Sequence, residues 1–308
     1  MMKIFFSNTI LFLKGIGMGA ANVIPGVSGG TIAFITGIYE RLVNCINNID
    51  SQAVKMLFKG RFKELWKHID GNFLLWIVAG VAVATLSLAK LMLFLLQNHP
   101  IQTWAFFFGL IIASSILMLS GLKNWKTVDA ICLVCGVILG IFICTLSPVE
   151  SPDNLLYIFL CGALSICAMI LPGISGSFIL LVMGKYEYIM SAIDGFLHFN
   201  LYSMLVLAVF LIGCICGILA FAKFLHWLLG KWNRQTLVVL SGFVLGSLVK
   251  VWPWNSYSSA PDPLTGEVPG LHIPGAVLWC LAGIILVLGL EMLGKLFKSK
   301  DSSAALKQ

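Results

Sequence analysis

Apolar stretches, most of about 17 to 25 residues, recur along the whole chain, near 4–24, 30–47, 72–97, 101–121, 128–146, 154–171, 177–193, 201–229, 235–252 and 273–294. Each approaches the length at which a helix crosses the hydrocarbon core of a bilayer. Lipid offers the backbone no hydrogen-bond partners, so a chain built this way must satisfy its N–H and C=O groups within helices, and an all-α polytopic membrane protein is predicted. Composition excludes a soluble fold: of 308 residues 59% are hydrophobic and 11% charged, with a mean hydropathy of +0.97. The first stretch follows Lys3, lacks a small-residue cleavage pattern and leads into a motif that recurs. It is read as mature structure, not a signal peptide. The nine cysteines lie in apolar segments, and Cys132-x-x-Cys135 has no companion ligands, so they are read as packing residues. The histidines show no i, i+4 pair, and neither a metal nor any other cofactor is called for.

The ten segments divide five and five around an internal repeat. A shift of 147 places Gly15, Ala21, Pro25, Gly26, Ser28, Gly29, Ile32, Gly37, Tyr39 and Glu40 on Gly162, Ala168, Pro172, Gly173, Ser175, Gly176, Ile179, Gly184, Tyr186 and Glu187. Further on, a shift of 133 matches Ala89, Lys90, Leu95, Leu96, Gln102, Thr103 and Gly109 with Ala222, Lys223, Leu228, Leu229, Gln235, Thr236 and Gly242. The 14 residues missing from the second copy correspond to the basic stretch Lys55, Lys59, Arg61, Lys63, Lys67. Residues 1–150, with a basic cytoplasmic segment at 50–70, and residues 151–308 are therefore the two expected repeats. An odd number of segments per repeat makes their topology inverted, whether the first two segments of each span fully or form a re-entrant hairpin.

Loop charges orient the chain. One set of loops holds 14 of the 20 Lys and Arg, while the alternate loops near 98–100, 147–153, 194–200 and 253–272 hold none. By the positive-inside rule both termini are cytoplasmic, as are the loops near Lys63 and Lys126, and those near Pro148 and Pro263 are periplasmic. The net charge of +7 then reflects topology and contact with anionic membrane lipids, not nucleic acid.

The strongest chemical signal is the pair Asn22-Val-Ile-Pro-Gly-Val-Ser-Gly-Gly30 and Met169-Ile-Leu-Pro-Gly-Ile-Ser-Gly-Ser177. Pro25 and Pro172 remove a backbone donor and Gly26 and Gly173 allow unusual dihedrals, so broken or re-entrant helices are expected at these P-G-(V/I)-S-G motifs. New helices opening at Ser28-Gly29-Gly30-Thr31 and Ser175-Gly176-Ser177 would aim unpaired N–H groups and hydroxyls at one point, which suits a phosphate. The bland reading is a kink for close packing; duplication at equivalent positions favours a binding site. Lys90 and Lys223, inside apolar helices about 10 Å from an end, are read either as snorkelling anchors or as cationic stations on opposite faces of one pathway. Glu40 with Arg41, and Glu187 with Lys185, are candidates for coupling to a proton or sodium or for gating, against a structural role with the carboxylate paired to its basic neighbour. Gln102-Thr103 and Gln235-Thr236 are read as caps or as lining of a polar cavity.

The run K-G-x-x-M-G-x-A-N-x-I-P-G-V-S-G-G-T (Lys14 to Thr31), G-I-Y-E-R-L (Gly37 to Leu42) and L-P-G-I-S-G-S (Leu171 to Ser177) resembles the bacterial polyprenyl-phosphate (undecaprenyl phosphate) translocase family. The resemblance covers nearly the whole chain. It implies a flippase of the bacterial inner membrane that returns undecaprenyl phosphate from the outer to the cytoplasmic leaflet for cell-envelope synthesis, with the polyprenyl phosphate lipid as its partner. It assigns no residue roles. Two other classes compete: an ion-coupled secondary transporter of a small soluble anion, which also uses broken helices at inverted repeats, and an undecaprenyl-pyrophosphate phosphatase. The phosphatase loop P-G-x-S-R-S-G carries an Arg where this chain has Gly29 and Gly176, and no carboxylate or His lies within ten residues before either loop. A non-enzyme is therefore expected.

Overall fold

The computed structural model describes residues 2–23, 28–148, 151–152, 154–254 and 272–305. Pro25, Gly26 and the loop at Pro263 lie outside the described residues, as does the side chain of Lys90. The described residues are helical, without strands. The first half contains α1 (Met2–Val23), α2 (Gly29–Ile35), α3 (Tyr39–Asn47), α4 (Ser51–Phe58), α5 (Phe62–His68), α6 (Gly71–Asn98), α7 (Pro100–Ser120) and α8 (Thr127–Cys144). The second contains α9 (Leu155–Ile170), α10 (Gly176–Val182), α11 (Tyr186–Leu197), α12 (Leu201–Lys231), α13 (Asn233–Gly246), a 3-10 turn at Ser247–Val249 and α14 (Ile273–Ala305). Among the described residues α7, α8 and α12 are each long and apolar enough to cross a membrane, and the bent pair α5–α6 supplies a fourth candidate.

The apolar segments at 30–47 and 177–193 are not single helices. Each divides into two, at Gly37 (φ +69°) and Gly184 (φ +65°), because a residue in the left-handed region ends an α-helix and glycine enters it without a Cβ clash. The seven residues of α2 and of α10 rise only about 10 Å, roughly a third of the hydrocarbon thickness.

Small residues decide which helices meet. Gly15 and Gly19 of α1 sit against the backbone of Ile77, Gly80 and Val81 in α6; Gly162 of α9 and Gly213 and Gly217 of α12 make the corresponding parallel contact. On α8 and α13, Gly136 and Gly140 face Gly242 and Gly246, two G-x-x-x-G rows whose missing side chains let the backbones approach. That pair also runs parallel, from Asp129 beside Arg234 to Gly140 beside Gly246. Two compact units result, each drawing chain from both halves. One comprises Met1–Met92 and Thr127–Ser247, the other Leu93–Lys126 and Leu248–Gln308. In the second unit α7 packs on α14, with Gly109 against Cys280, Gly283 against Phe106, and Ile101, Ala105 and Ala276 forming a small core. Thus α7 of the first half pairs with α14 of the second, and α13 of the second with α8 of the first.

Candidate functional site

Both motif copies start a helix with a serine cap. The Ser28 Oγ accepts the Thr31 N–H (3.2 Å), which it shares with the Ser28 carbonyl (3.0 Å), and the Ser175 Oγ accepts the Phe178 N–H (3.2 Å), the third helical amide in each case. In the first copy the Asn22 side chain turns back from α1 to accept the Gly29 N–H at 2.7 Å. In the second, Gly173 (φ +97°) carries the chain past Ser247, Pro172 is buried just before it, and the Ser175 and Ser177 hydroxyls lie 3.2 Å apart.

The two copies touch. Ser28 Oγ donates to the Leu171 carbonyl (3.2 Å), and the Gly173 N–H donates to Thr31 Oγ1 (2.7 Å). Ser28 Oγ and Thr31 Oγ1 are themselves 3.2 Å apart. With Ser28 as donor to Leu171, Thr31 donates to Ser28, and one chain of bonds runs from the amide of Gly173 through both hydroxyls to the carbonyl of Leu171. Gly30 is packed so closely on the Ile170 carbonyl that a Cβ there would stand 2.6 Å from its oxygen; at Gly176 the same atom would stand 2.7 Å from the Ser165 carbonyl. Ser28 and Thr31 are buried. Several of the donors expected from the sequence to be unpaired are paired here: the N–H groups of Gly29, Thr31 and Gly173 have acceptors, and the Ser28 hydroxyl spans the two copies.

An apolar groove of about 570 Å³ ends at this junction. It runs along α8 and α13 from Trp232, Gln235 and Thr236 to Ile143, Phe243 and Leu171, with Phe221 and Phe224 of α12 along its side. From Gln235 to Phe243 it is about 12 Å long. Leu171 thus lines the groove with its side chain and takes the Ser28 hydrogen bond on its carbonyl. At the opposite end Asp129, only 1% exposed, holds Arg234 through 3.1, 3.1 and 2.7 Å contacts, a bidentate geometry that compensates a buried carboxylate.

The remaining candidates are dispersed. Lys223 is exposed on α12. Arg41 does not pair with Glu40: it bonds Asp70 at 2.7 Å and stacks over Phe73, because successive helical side chains point about 100° apart. Glu40 accepts from Asn233 at 3.0 Å, and Glu187 is exposed. Lys185, 3% exposed, donates to the Ser151 carbonyl (3.0 Å) and lies over the rings of Tyr157 and Tyr188. Thr103 donates to the His99 carbonyl one turn back (2.8 Å) and lies 3.3 Å from that of Leu95, Thr236 lies 3.3 Å from the equivalent Leu228 carbonyl, and Gln235 lines the groove. Sequence reasoning did not single out Lys14, whose ammonium reaches the Thr36 carbonyl at the end of α2 (2.7 Å), nor Asp129. Lys14 carried a signal, a charge inside an apolar run; Asp129 at the head of α8 did not.

Among known proteins, the family model described as undecaprenyl phosphate translocase-like matches residues 18–268. A protein of Vibrio cholerae serotype O1 named polyprenyl-phosphate transporter is 40% identical over 298 residues, covering 91% of this chain and 95% of that protein. A Staphylococcus aureus protein of the same name is 34% identical over 256 residues, 79% of this chain and 86% of its own. No solved structure matches.

Proposed function

The chain belongs to the undecaprenyl phosphate translocase-like family, and we propose that it transports polyprenyl phosphate across the bilayer without altering it chemically. The family and both relatives are named for translocation or transport, not for an enzymatic reaction. The observation that carries the reading is the apolar groove ending on Leu171, which lies within the second motif just before Pro172 and is bonded to the first. A lipid phosphate presents two chemistries at once, an isoprenoid tail and an anionic head; an apolar groove abutting a cluster of amides and hydroxyls matches both. A small soluble anion would have no use for the groove.

In this reading the phosphate contacts Asn22, Pro25, Gly26, Ser28, Gly29, Gly30 and Thr31 of one motif and Pro172, Gly173, Ser175, Gly176 and Ser177 of the other. It competes for the Gly173 N–H and the Ser28 hydroxyl, now given to Thr31 and Leu171. Lys90 and Lys223 serve as stations nearer the two faces. Residues 1–150 and 151–308 act as inverted halves with re-entrant hairpins, supported by α2 and α10 having equal lengths 147 residues apart and by the reciprocal pairs α7 with α14 and α13 with α8. Glu40, tied to α13 by Asn233, and Arg41, Glu187 and Lys185 are the gating or coupling groups, with proton or sodium as the ion. Transport runs from the outer to the cytoplasmic leaflet of the bacterial inner membrane and returns undecaprenyl phosphate to cell-envelope synthesis, with both termini cytoplasmic.

The test is a leaflet-resolved assay of undecaprenyl phosphate in proteoliposomes of known orientation, beside uptake of inorganic phosphate. Protein-dependent lipid movement, lost in Leu139→Trp where an indole fills the groove, is the expected result. Phosphate uptake without lipid movement overturns the reading. Single cysteines near Pro148 and Lys126 in a Cys-depleted variant check the orientation, the first labelling from the periplasmic side and the second from the cytoplasmic side.

A further inference from the structure

Residues 51–68 form a short hairpin with no counterpart in the second half. Its helices, α4 and α5, are joined around Gly60 (φ +68°). Apolar side chains stand at every fourth position, Val54, Phe58, Phe62 and Trp66, and basic ones follow each by one residue, Lys55, Lys59, Lys63 and Lys67, with Arg61 between. In α4 the apolar set is widened by Leu57. Glu64 is the hairpin's one acidic residue. Little of the apolar set is covered by protein: Phe58 is 86% exposed and Phe62 64%, α5 has no buried residue, and α4 buries only Ala53.

The hairpin is nevertheless held firmly in position. Asp50 caps α4 through the Gln52 and Ala53 amides (both 2.9 Å) and lies 3.3 Å from His68. Asn48 donates to the His68 carbonyl (2.9 Å), Trp66 Nε1 donates to Asn72 (3.1 Å), and Arg41 bonds Asp70 at the corner into α6. At that corner α5 is inclined 74° to α6. If α6 crosses the bilayer, a helix at 74° to it lies close to the membrane plane.

We propose that α4 and α5 form an interfacial foot whose occupant is the anionic phospholipid surface of the host bilayer, with Phe58, Phe62 and Trp66 at the acyl boundary and Lys55, Lys59, Arg61, Lys63 and Lys67 on headgroup phosphates. Bare aromatic groups in water are unfavourable, and five cations against one carboxylate select a negative surface; together they are the physical signature of a helix lying in the interface. The fastened corner makes the foot a rigid lever on α6, present on one face of the membrane only. The inference rests on α6 being a span and not on which lipid is carried.

The full-length protein in nanodiscs tests it. A bimane on the thiol of Phe58→Cys in a Cys-depleted variant should be quenched at least about twofold more by doxyl-labelled lipid than by iodide in discs containing phosphatidylglycerol. In phosphatidylcholine discs that ratio should fall, as it should when the five basic residues are replaced by Gln. Hydrogen exchange over residues 51–68 of the unmodified protein should slow when phosphatidylglycerol is added, which keeps the test independent of the labelled variant. Free quenching by iodide in both discs, or shielding from both quenchers as by a protein partner, overturns the foot, as does exchange indifferent to lipid charge. Transport of undecaprenyl phosphate in the same preparations separates failure of the foot from failure of the transport reading.

Discussion

The two motif copies share a frame and differ in its fittings. Ser28 and Ser175 cap their helices through the same third amide, but Asn22, which accepts the Gly29 N–H, is replaced by Met169, with no oxygen to offer. Thr31, which accepts the Gly173 N–H, is replaced by Phe178. Gly30 is pressed on a carbonyl, whereas Ser177 at its equivalent position is exposed. At the far end of the short helix the same carbonyl position takes the Lys14 ammonium in one copy (Thr36, 2.7 Å) and the Tyr157 hydroxyl in the other (Met183, 3.1 Å). Tyr39 is buried, while Tyr186 is 37% exposed. The duplicated residues thus maintain the helix start, and the residues that differ decide which copy reaches across to the other. The first copy provides the cross-links; the second provides the backbone groups they engage.

Exchanging Gly30 and Ser177 breaks this difference most sharply. Gly30→Ser should cost about 1–3 kcal/mol through overpacking against the Ile170 carbonyl and lower lipid transport about tenfold or more, read by thermal unfolding in detergent and by the leaflet assay. Ser177→Gly should stay within about 1 kcal/mol. Equal effects would show the copies to be interchangeable. Removing hydroxyls comes next. Thr31→Val strands the Gly173 amide and should cost about 1–3 kcal/mol, and Ser28→Ala loses a cap and a cross-link together. Ser175→Ala loses mainly a cap, about 1 kcal/mol, so thermal shifts should rank Thr31 and Ser28 above Ser175.

The helix-end donors form a third contrast. Lys14→Met removes a charged hydrogen bond, about 1.5–3 kcal/mol, and Tyr157→Phe a neutral one, about 0.5–1.5 kcal/mol. Amide exchange at the ends of α2 and α10 should rise in that order. The smallest stability effect is expected at Lys223, which is exposed: Lys223→Gln should leave unfolding within about 0.5 kcal/mol while weakening headgroup capture, and Lys223→Arg should retain activity because the charge remains. An unchanged transport rate in Lys223→Gln would mark it as an anchor.

Much of the frame was legible in the residues. Proline followed by glycine interrupts a helix through its own sterics, so new helices starting near Gly29 and Gly176 follow from a local rule; the serines read as donors to a ligand, whereas the folded chain uses them as caps. The second breaks, at Gly37 and Gly184, were present in the repeat alignment but hidden inside apolar runs, where hydropathy cannot distinguish one helix from two. The bond between Arg41 and Asp70 and the clasp of Asp129 on Arg234 join residues 29 and 105 positions apart, beyond any local pattern. The G-x-x-x-G rows at Gly136–Gly140 and Gly242–Gly246 emerge as contact faces only in the packed structure, where each is the other's partner.

By itself the sequence determined a helical membrane chain, its duplicated helix interruptions and a basic stretch confined to one half, because each depends on solvent preference or backbone sterics. Tertiary structure alone decided that the two motif copies bond to one another through Ser28, Thr31, Leu171 and Gly173, that α8 and α13 line an apolar groove ending there, and that α7 pairs with α14. Rows of Leu, Ile and Val offer nearly equivalent surfaces to any neighbouring helix, so partner choice is settled only where glycines let particular backbones approach and where a hydroxyl or carboxylate finds its one reachable counterpart.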